Sequence, residues 1–108
     1  MITEYVLFGL RPGMSREEVV EGMRGVAPKW RANPDLIRKT FIYDAEAEQA
    51  GAFYLWKTRA AAEAAHDAAW RQSVRDNFGS EPEIRYFETP LVVDNAMERV
   101  IEAGDAAG

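Results

Sequence analysis

Residues 36–57 read LIRKTFIYDAEAEQAGAFYLWK. Two runs rich in Ile, Phe, Tyr, Leu and Trp, 36–44 and 52–57, flank a polar connection of hairpin length. Such runs, bounded by turn residues, predict paired antiparallel strands. Asn33-Pro34-Asp35 marks a turn before the first of them. The hairpin decides the fold, because helical segments lie on both sides of it. Upstream, ITEYVLFG at 2–9 reads as a first strand that stops at Gly9 and the Arg11-Pro12-Gly13 turn. Ser15-Arg16-Glu17-Glu18 then forms a capping box, with the serine oxygen and Glu18 satisfying each other's amides. Val19, Val20, Met23, Val26, Ala27 and Trp30 follow at helical spacing. Gly22 and Gly25 weaken that helix, and Pro28 is expected to kink or end it.

Downstream, Thr58 is a candidate N-cap for a second helix over Ala60–His66. Asp67 caps a further turn or a short helix through Phe78, which Gly79 ends. Residues 83–94, EIRYFETPLVVD, read as a fourth strand with Pro90 at a bend or an edge. A short helix over Ala96–Ala103 and a frayed tail at 103–108 are expected to close the chain. The order is β-α-β-β-α-β. Right-handed crossovers around an antiparallel hairpin turn it into the ferredoxin-like α+β fold, a four-stranded antiparallel sheet with its helices on one face. At 108 residues the chain is expected to be a single domain, 1–108.

The formal charge of -5 disfavours nucleic acid and anionic membrane surfaces. The basic candidates, Arg38-Lys39 and Arg71 with Arg75, are small and flanked by acids. Tyr5–Leu10, the longest early apolar run, is too short to span a membrane or serve as a signal. With no cysteine, disulfides and thiolate chemistry are excluded.

Strand alternation puts Ile37, Phe41 and Tyr43 opposite Leu36 and Ile42, and Phe53 and Leu55 opposite Ala52, Tyr54 and Trp56. Val6 and Phe8 oppose Tyr5 and Leu7, and Ile84 and Tyr86 oppose Phe87. Both faces of the sheet are therefore apolar, yet the helices cover only one. A wet aromatic face is larger than monomers tolerate, so a homodimer joined by isologous pairing of the sheets is expected. The competing reading is aromatics stacked along a half-exposed sheet.

NPDLIRKTFIYD, AGAFYLWKTRAAAEAA and WRQSVRDNFGSEPEIRYFETPLVVDN resemble the YdhR-like monooxygenase family of the dimeric α+β barrel superfamily. The resemblance runs from the first strand to Asn95; where the family usually has Gly, in the turn before the second strand, this chain has Asp35. It implies a cytoplasmic homodimer with face-to-face sheets and a small apolar cavity in each subunit. It also implies a link to enzymes that oxidise aromatic polyketides with dioxygen and no metal or flavin, hence no cofactor.

His66, the only histidine, is the candidate base, since histidine is suited to taking a proton from a phenol or enol. On one continuous helix, Ala62, His66, Trp70 and Val74 would share a face. The plainer reading puts His66 at the rim of that face, bonded to water or a carboxylate. Trp70, Tyr43, Tyr54, Trp56 and Tyr86 are candidate walls of a site for a small apolar or aromatic molecule, or else core and interface. Arg38 is a candidate anion partner; for it, as for Arg85, the favoured reading is an ion pair at a rim, with Glu4, Glu88 or another acid. One histidine and no cysteine argue against a metal site. No GxGxxG, P-loop or GxSxG is present. Haem-degrading relatives carry an Asn on the first strand and a Trp followed by a His on the second helix; ITEYVLFG has no Asn, and here His66 precedes Trp70. The leading expectation is a cofactor-independent monooxygenase-like protein acting on a small aromatic or polyketide-type substrate. A non-catalytic ligand-binding dimer, and an isomerase or cyclase on the same scaffold, remain open.

Overall fold

The structure, a computed structural model, describes residues 1–103. The elements in chain order are β1 (Ile2–Gly9), α1 (Arg16–Arg31), β2 (Leu36–Asp44), β3 (Gln49–Trp56), α2 (Arg59–Ala65), α3 (Ala68–Phe78), β4 (Glu83–Glu88), β5 (Leu91–Asp94) and β6 (Arg99–Glu102). The first four long strands form one sheet in the order β2-β3-β1-β4, every neighbouring pair antiparallel. That is the ferredoxin-like order expected from the central hairpin.

Local chemistry fixes the helix ends. The Ser15 side chain accepts from the Glu18 amide at 3.2 Å and Thr58 from the Ala61 amide at 3.1 Å. Asp67 Oδ1 accepts from the Trp70 amide at 2.9 Å, so a new helix starts there instead of one continuous helix passing through His66. Gly79 ends α3 with φ 74°, a left-handed conformation that side chains resist. Pro28 does not end α1; the helix runs on to Arg31, and the Ala32 amide bonds the Pro28 carbonyl at 3.1 Å.

The core lies between the helices and one sheet face. Val6, Trp30, Ala52, Tyr54, Trp56 and Ala62 are its buried centre. Gly51 opposes Leu7 in the β1–β3 ladder, and a Cβ there would sit 1.9 Å from the Val6 carbonyl oxygen, so no side chain fits. On β2, Leu36 opposes Trp56 while Arg38 opposes Leu55, so the alternation slips at a bulge. Leu36 therefore packs on the same core as Phe41, where plain alternation would have separated them. Lys39 and Phe41, opposite Tyr54 and Ala52, share the helix-covered face.

The other face is only partly covered. Phe53 and Phe87 are 43% and 42% exposed, and the Tyr5 ring centre is 5.2 Å from that of Phe53. At the C-terminal end the structure corrects the sequence reading. Residues 83–94 are two strands broken at Thr89-Pro90, and β6 replaces the expected terminal helix. β5 and β6 pair as a separate hairpin. Its turn repeats the one between β2 and β3: Asp44 Oδ1 accepts from the Ala47 amide and Asp94 Oδ1 from the Met97 amide, while Glu48 and Glu98 both take positive φ, 54° and 53°. Residues 104–108, most of the expected frayed tail, lie outside the described residues.

Candidate functional site

A cavity of about 290 Å³ opens between α1, α3 and the sheet. Its walls come from the apolar faces that build the fold: Val6 and Phe8 of β1, Val19, Met23 and Trp30 of α1, Phe41 of β2, Tyr54 of β3, and Trp70 and Val74 of α3. The volume is at the low end for small-molecule sites, roughly 300–1,000 Å³, so it suits a compact, apolar ligand. Few polar groups reach it. Glu18 and Lys29 of α1 and Lys39 of β2 are its ionisable chains besides Tyr54, with Ser73 and Asn77 on α3.

Lys39 is the unusual one. Its Nζ is 4.1 Å from the ring centre of Trp30, 4.0 Å from that of Phe41 and 4.6 Å from that of Tyr54. Burial pulls its pKa down to about 7; the neighbouring Lys29 charge adds to this and the Glu4 carboxylate opposes it. Sequence reading missed this residue as a site group. Alternation gave the signal, since Lys39 stands two residues before Phe41 in the regular part of the ladder, past the bulge at residue 37.

Behind the cavity wall lies a sealed polar cluster. Glu4 and His66 have side chains with no exposure, and His66 Nδ1 is 2.8 Å from each Glu4 oxygen. Trp56 Nε1 donates to Glu4 Oε1 at 2.9 Å. A buried carboxylate is tolerable only when paired and bonded, and these two donors supply that. Among the described residues His66 Nε2 has no hydrogen-bond partner. The imidazole is ringed by Trp70, Tyr54, Trp30 and Trp56, the first two at 4.2 and 4.7 Å between ring centres. The rim position considered for His66 is thus replaced by a fully buried one. Although α2 ends at His66 and α3 begins after Asp67, the His66 and Trp70 rings still meet.

The sequence candidates divide accordingly. Tyr54 and Trp70 line the cavity; His66 does not, and lies one aromatic layer behind it. Trp56 is wholly buried core that holds Glu4. Burial and then the Glu4 charge push the Tyr54 hydroxyl far above its ordinary pKa, so it stays a neutral donor. The Tyr86 hydroxyl is shifted upward by burial and by Glu4, and its ring lies 4.4 Å from the Arg59 guanidinium carbon. Tyr43 belongs to a shallow depression at the far end of the sheet with Tyr5, Leu7 and Asp44. Arg38 is not at the cavity. It opposes Leu55 on the other face and forms an ion pair with Asp94 of the C-terminal hairpin. Glu4, weighed in the sequence as a rim partner for arginine, is instead the buried anchor of His66. Its signal was a lone acid in an apolar strand, in phase with Val6. Among the described residues no three His, Cys, Asp or Glu side chains are grouped to hold a metal ion. Nor is any helix among them long and apolar enough to cross a membrane.

Several solved structures with the same fold are described as oxygenases. A "putative antibiotic biosynthesis monooxygenase" from Deinococcus radiodurans is 11% identical, with TM-score 0.62 over 87% of this chain and 97% of that one. A protein of the same description from Nitrosomonas europaea is 18% identical, with TM-score 0.61 over 82% and 98%. SnoaB from Streptomyces nogalater, described as a cofactor-independent oxygenase, is 16% identical, with TM-score 0.58 over 82% and 91%. At such identities the likeness establishes the fold alone. No curated protein matches the chain in sequence. The family profile described as "Putative mono-oxygenase ydhR" matches residues 8–88, from the last residues of β1 to the end of β4, and the chain belongs to that family.

Proposed function

We propose that the protein is a cofactor-independent monooxygenase for a small aromatic or polyketide-type substrate bound in the cavity between α1, α3 and the sheet. The observation that carries this reading is the cavity itself: a compact space of about 290 Å³ walled by Trp30, Phe41, Tyr54 and Trp70, with very few polar groups. Aromatic walls orient a flat ligand, and exclusion of water protects a reactive anion. Family membership and the SnoaB description lend support. In the reaction the substrate loses a proton from an activated methylene. The resulting carbanion, delocalised as an enolate, donates its electrons to dioxygen. One oxygen atom becomes the new carbonyl and the other leaves as water, so a CH₂ group and O₂ give C=O and H₂O with no external reductant. His66, held by Glu4, reaches such a substrate only if the Trp70 or Tyr54 ring moves aside, because both stand between it and the cavity.

The working unit in this proposal is a homodimer. Phe53 and Phe87 on the uncovered sheet face, with Leu91, Val93 and Val100 on the C-terminal hairpin at 52%, 64% and 58% exposure, favour cover by a second copy.

The test is oxygen uptake by purified protein with a panel of anthrones and phenols. Stoichiometric formation of the carbonyl product supports the oxygenase reading. Turnover of the same substrates without oxygen would instead support an isomerase or cyclase, and tight binding with no turnover a ligand-binding protein.

A further inference from the structure

We propose that Lys39 is the proton acceptor and anion-holding group of the cavity, and that the ligand it selects is an aromatic or enolic weak acid with a free hydroxyl. This rests on the cavity being the substrate site. Three features of the geometry carry it. Lys39 is the β2 side chain that reaches the cavity beside Phe41, and its Nζ lies within 4.0–4.6 Å of the ring centres of Trp30, Phe41 and Tyr54. No carboxylate forms an ion pair with it among the described residues, whereas Arg38, next in sequence, is taken up by Asp94 on the other face. The same three rings are walls of the ligand cavity, so a flat ligand lying against them comes within reach of the amine.

The chemistry follows from that placement. An amine poised near neutrality is free to accept a proton at physiological pH, and the ammonium it becomes pairs with the anion left behind. The proton moves from the ligand's hydroxyl oxygen to Nζ; no electrons change hands in this step. The groups facing Lys39 are consistent with the assignment. Lys29 on α1 lowers its proton affinity and Glu4 on β1 raises it. Glu18 on α1 also borders the cavity. Tyr54 on β3 stays neutral, while α3 presents Trp70, Ser73, Val74, Asn77 and Phe78, none of them charged. His66 lies behind Tyr54, sealed against Glu4. A phenol in this cavity without Lys39 would be harder to ionise, because desolvation penalises the anion; with Lys39 protonated beside it, ionisation becomes easier. The two cases have opposite signs.

The experiment uses 4-nitrophenol, whose neutral and ionised forms absorb at different wavelengths, and 4-nitroanisole, which has no acidic proton. Both are titrated into the wild-type protein and Lys39→Met. In the wild type, bound nitrophenol is expected to ionise at a pH lower than free nitrophenol, by roughly one unit or more. In Lys39→Met it is expected to ionise at a higher pH than when free. Nitroanisole should bind both proteins alike, which shows the variant's cavity intact. An unchanged or raised ionisation pH in the wild type, or an equal lowering in Lys39→Met, overturns the role of Lys39 and leaves the cavity reading standing. Failure of both compounds to bind either protein removes the substrate site and the inference with it.

Discussion

Glu4 and His66 meet at 2.8 Å in the sealed layer between the sheet and α2, with Trp56 completing the carboxylate's bonds from β3. The pair is the most buried polar feature of the fold. Removing one member strands the other. Glu4→Ala is expected to cost about 1–3 kcal/mol or more, because it leaves the buried Trp56 Nε1 and His66 Nδ1 without their partner. Replacing both, as Glu4→Leu with His66→Leu, should recover much of that loss. Urea denaturation of the single and double variants checks it.

The same pair frames the test of His66 as base. A buried histidine one ring removed from the cavity is expected to matter more for stability than for turnover. His66→Gln should lose at least ~1 kcal/mol of stability while a refolded, substrate-saturated sample keeps kcat within about threefold of wild type, a change under ~1 kcal/mol. Loss of turnover without loss of stability would place His66 in the chemistry instead.

Lys39 has a signature in stability as well. Its folded pKa of about 7 lies below the unfolded value of 10.5. Between those values the unfolded chain holds the extra proton, so stability rises with pH across that window. Below about pH 7 both states are protonated and the cost of burying the ammonium is fully present. Lys39→Met removes that cost. It is expected to stabilise the protein at pH 6 by about 1–3 kcal/mol and to flatten the profile between the two pKa values, as thermal melts across pH will show.

Gly51→Ala is expected to be among the most damaging single-methyl additions, because the new Cβ would meet the Val6 carbonyl oxygen at 1.9 Å, and backbone cannot yield as a side chain can. The loss should reach or exceed the upper end of the ~1–3 kcal/mol typical of overpacking. Soluble yield and melting temperature report it.

The uncovered face makes a prediction about assembly. Phe53→Lys together with Phe87→Glu places charges where a second copy would pack, and should turn a dimer into a monomer in sedimentation. A wild-type monomer at micromolar concentration would contradict the homodimer.

Much of this architecture was legible in the sequence because its signals are local. Ser15, Thr58 and Asp67 are caps whose oxygens meet the expected amides, and the 36–57 hairpin sets the strand order. The errors came where a local signal was outweighed. Residues 96–103 look helical in composition, yet Asp94 and Glu98 repeat, fifty positions on, the turn made by Asp44 and Glu48. That repeat was the available clue to a second hairpin. The bulge at residue 37 was not visible, since nothing in LIRKT marks an extra residue. The site was less legible than the fold because its charged residues read as surface positions. Facing direction on β2 decides that Lys39 enters the cavity and Arg38 leaves it, and Glu4 reads as surface charge until its strand is known to be central.

The most direct test of the oxygenase account is oxygen consumption by metal-free protein given an anthrone, compared with a variant whose cavity is filled by Val74→Trp. The account predicts one O₂ consumed per carbonyl formed by the wild type, and loss of that turnover in a folded Val74→Trp. Undiminished turnover in the filled variant, or none above the uncatalysed rate in the wild type across the whole panel, would contradict it.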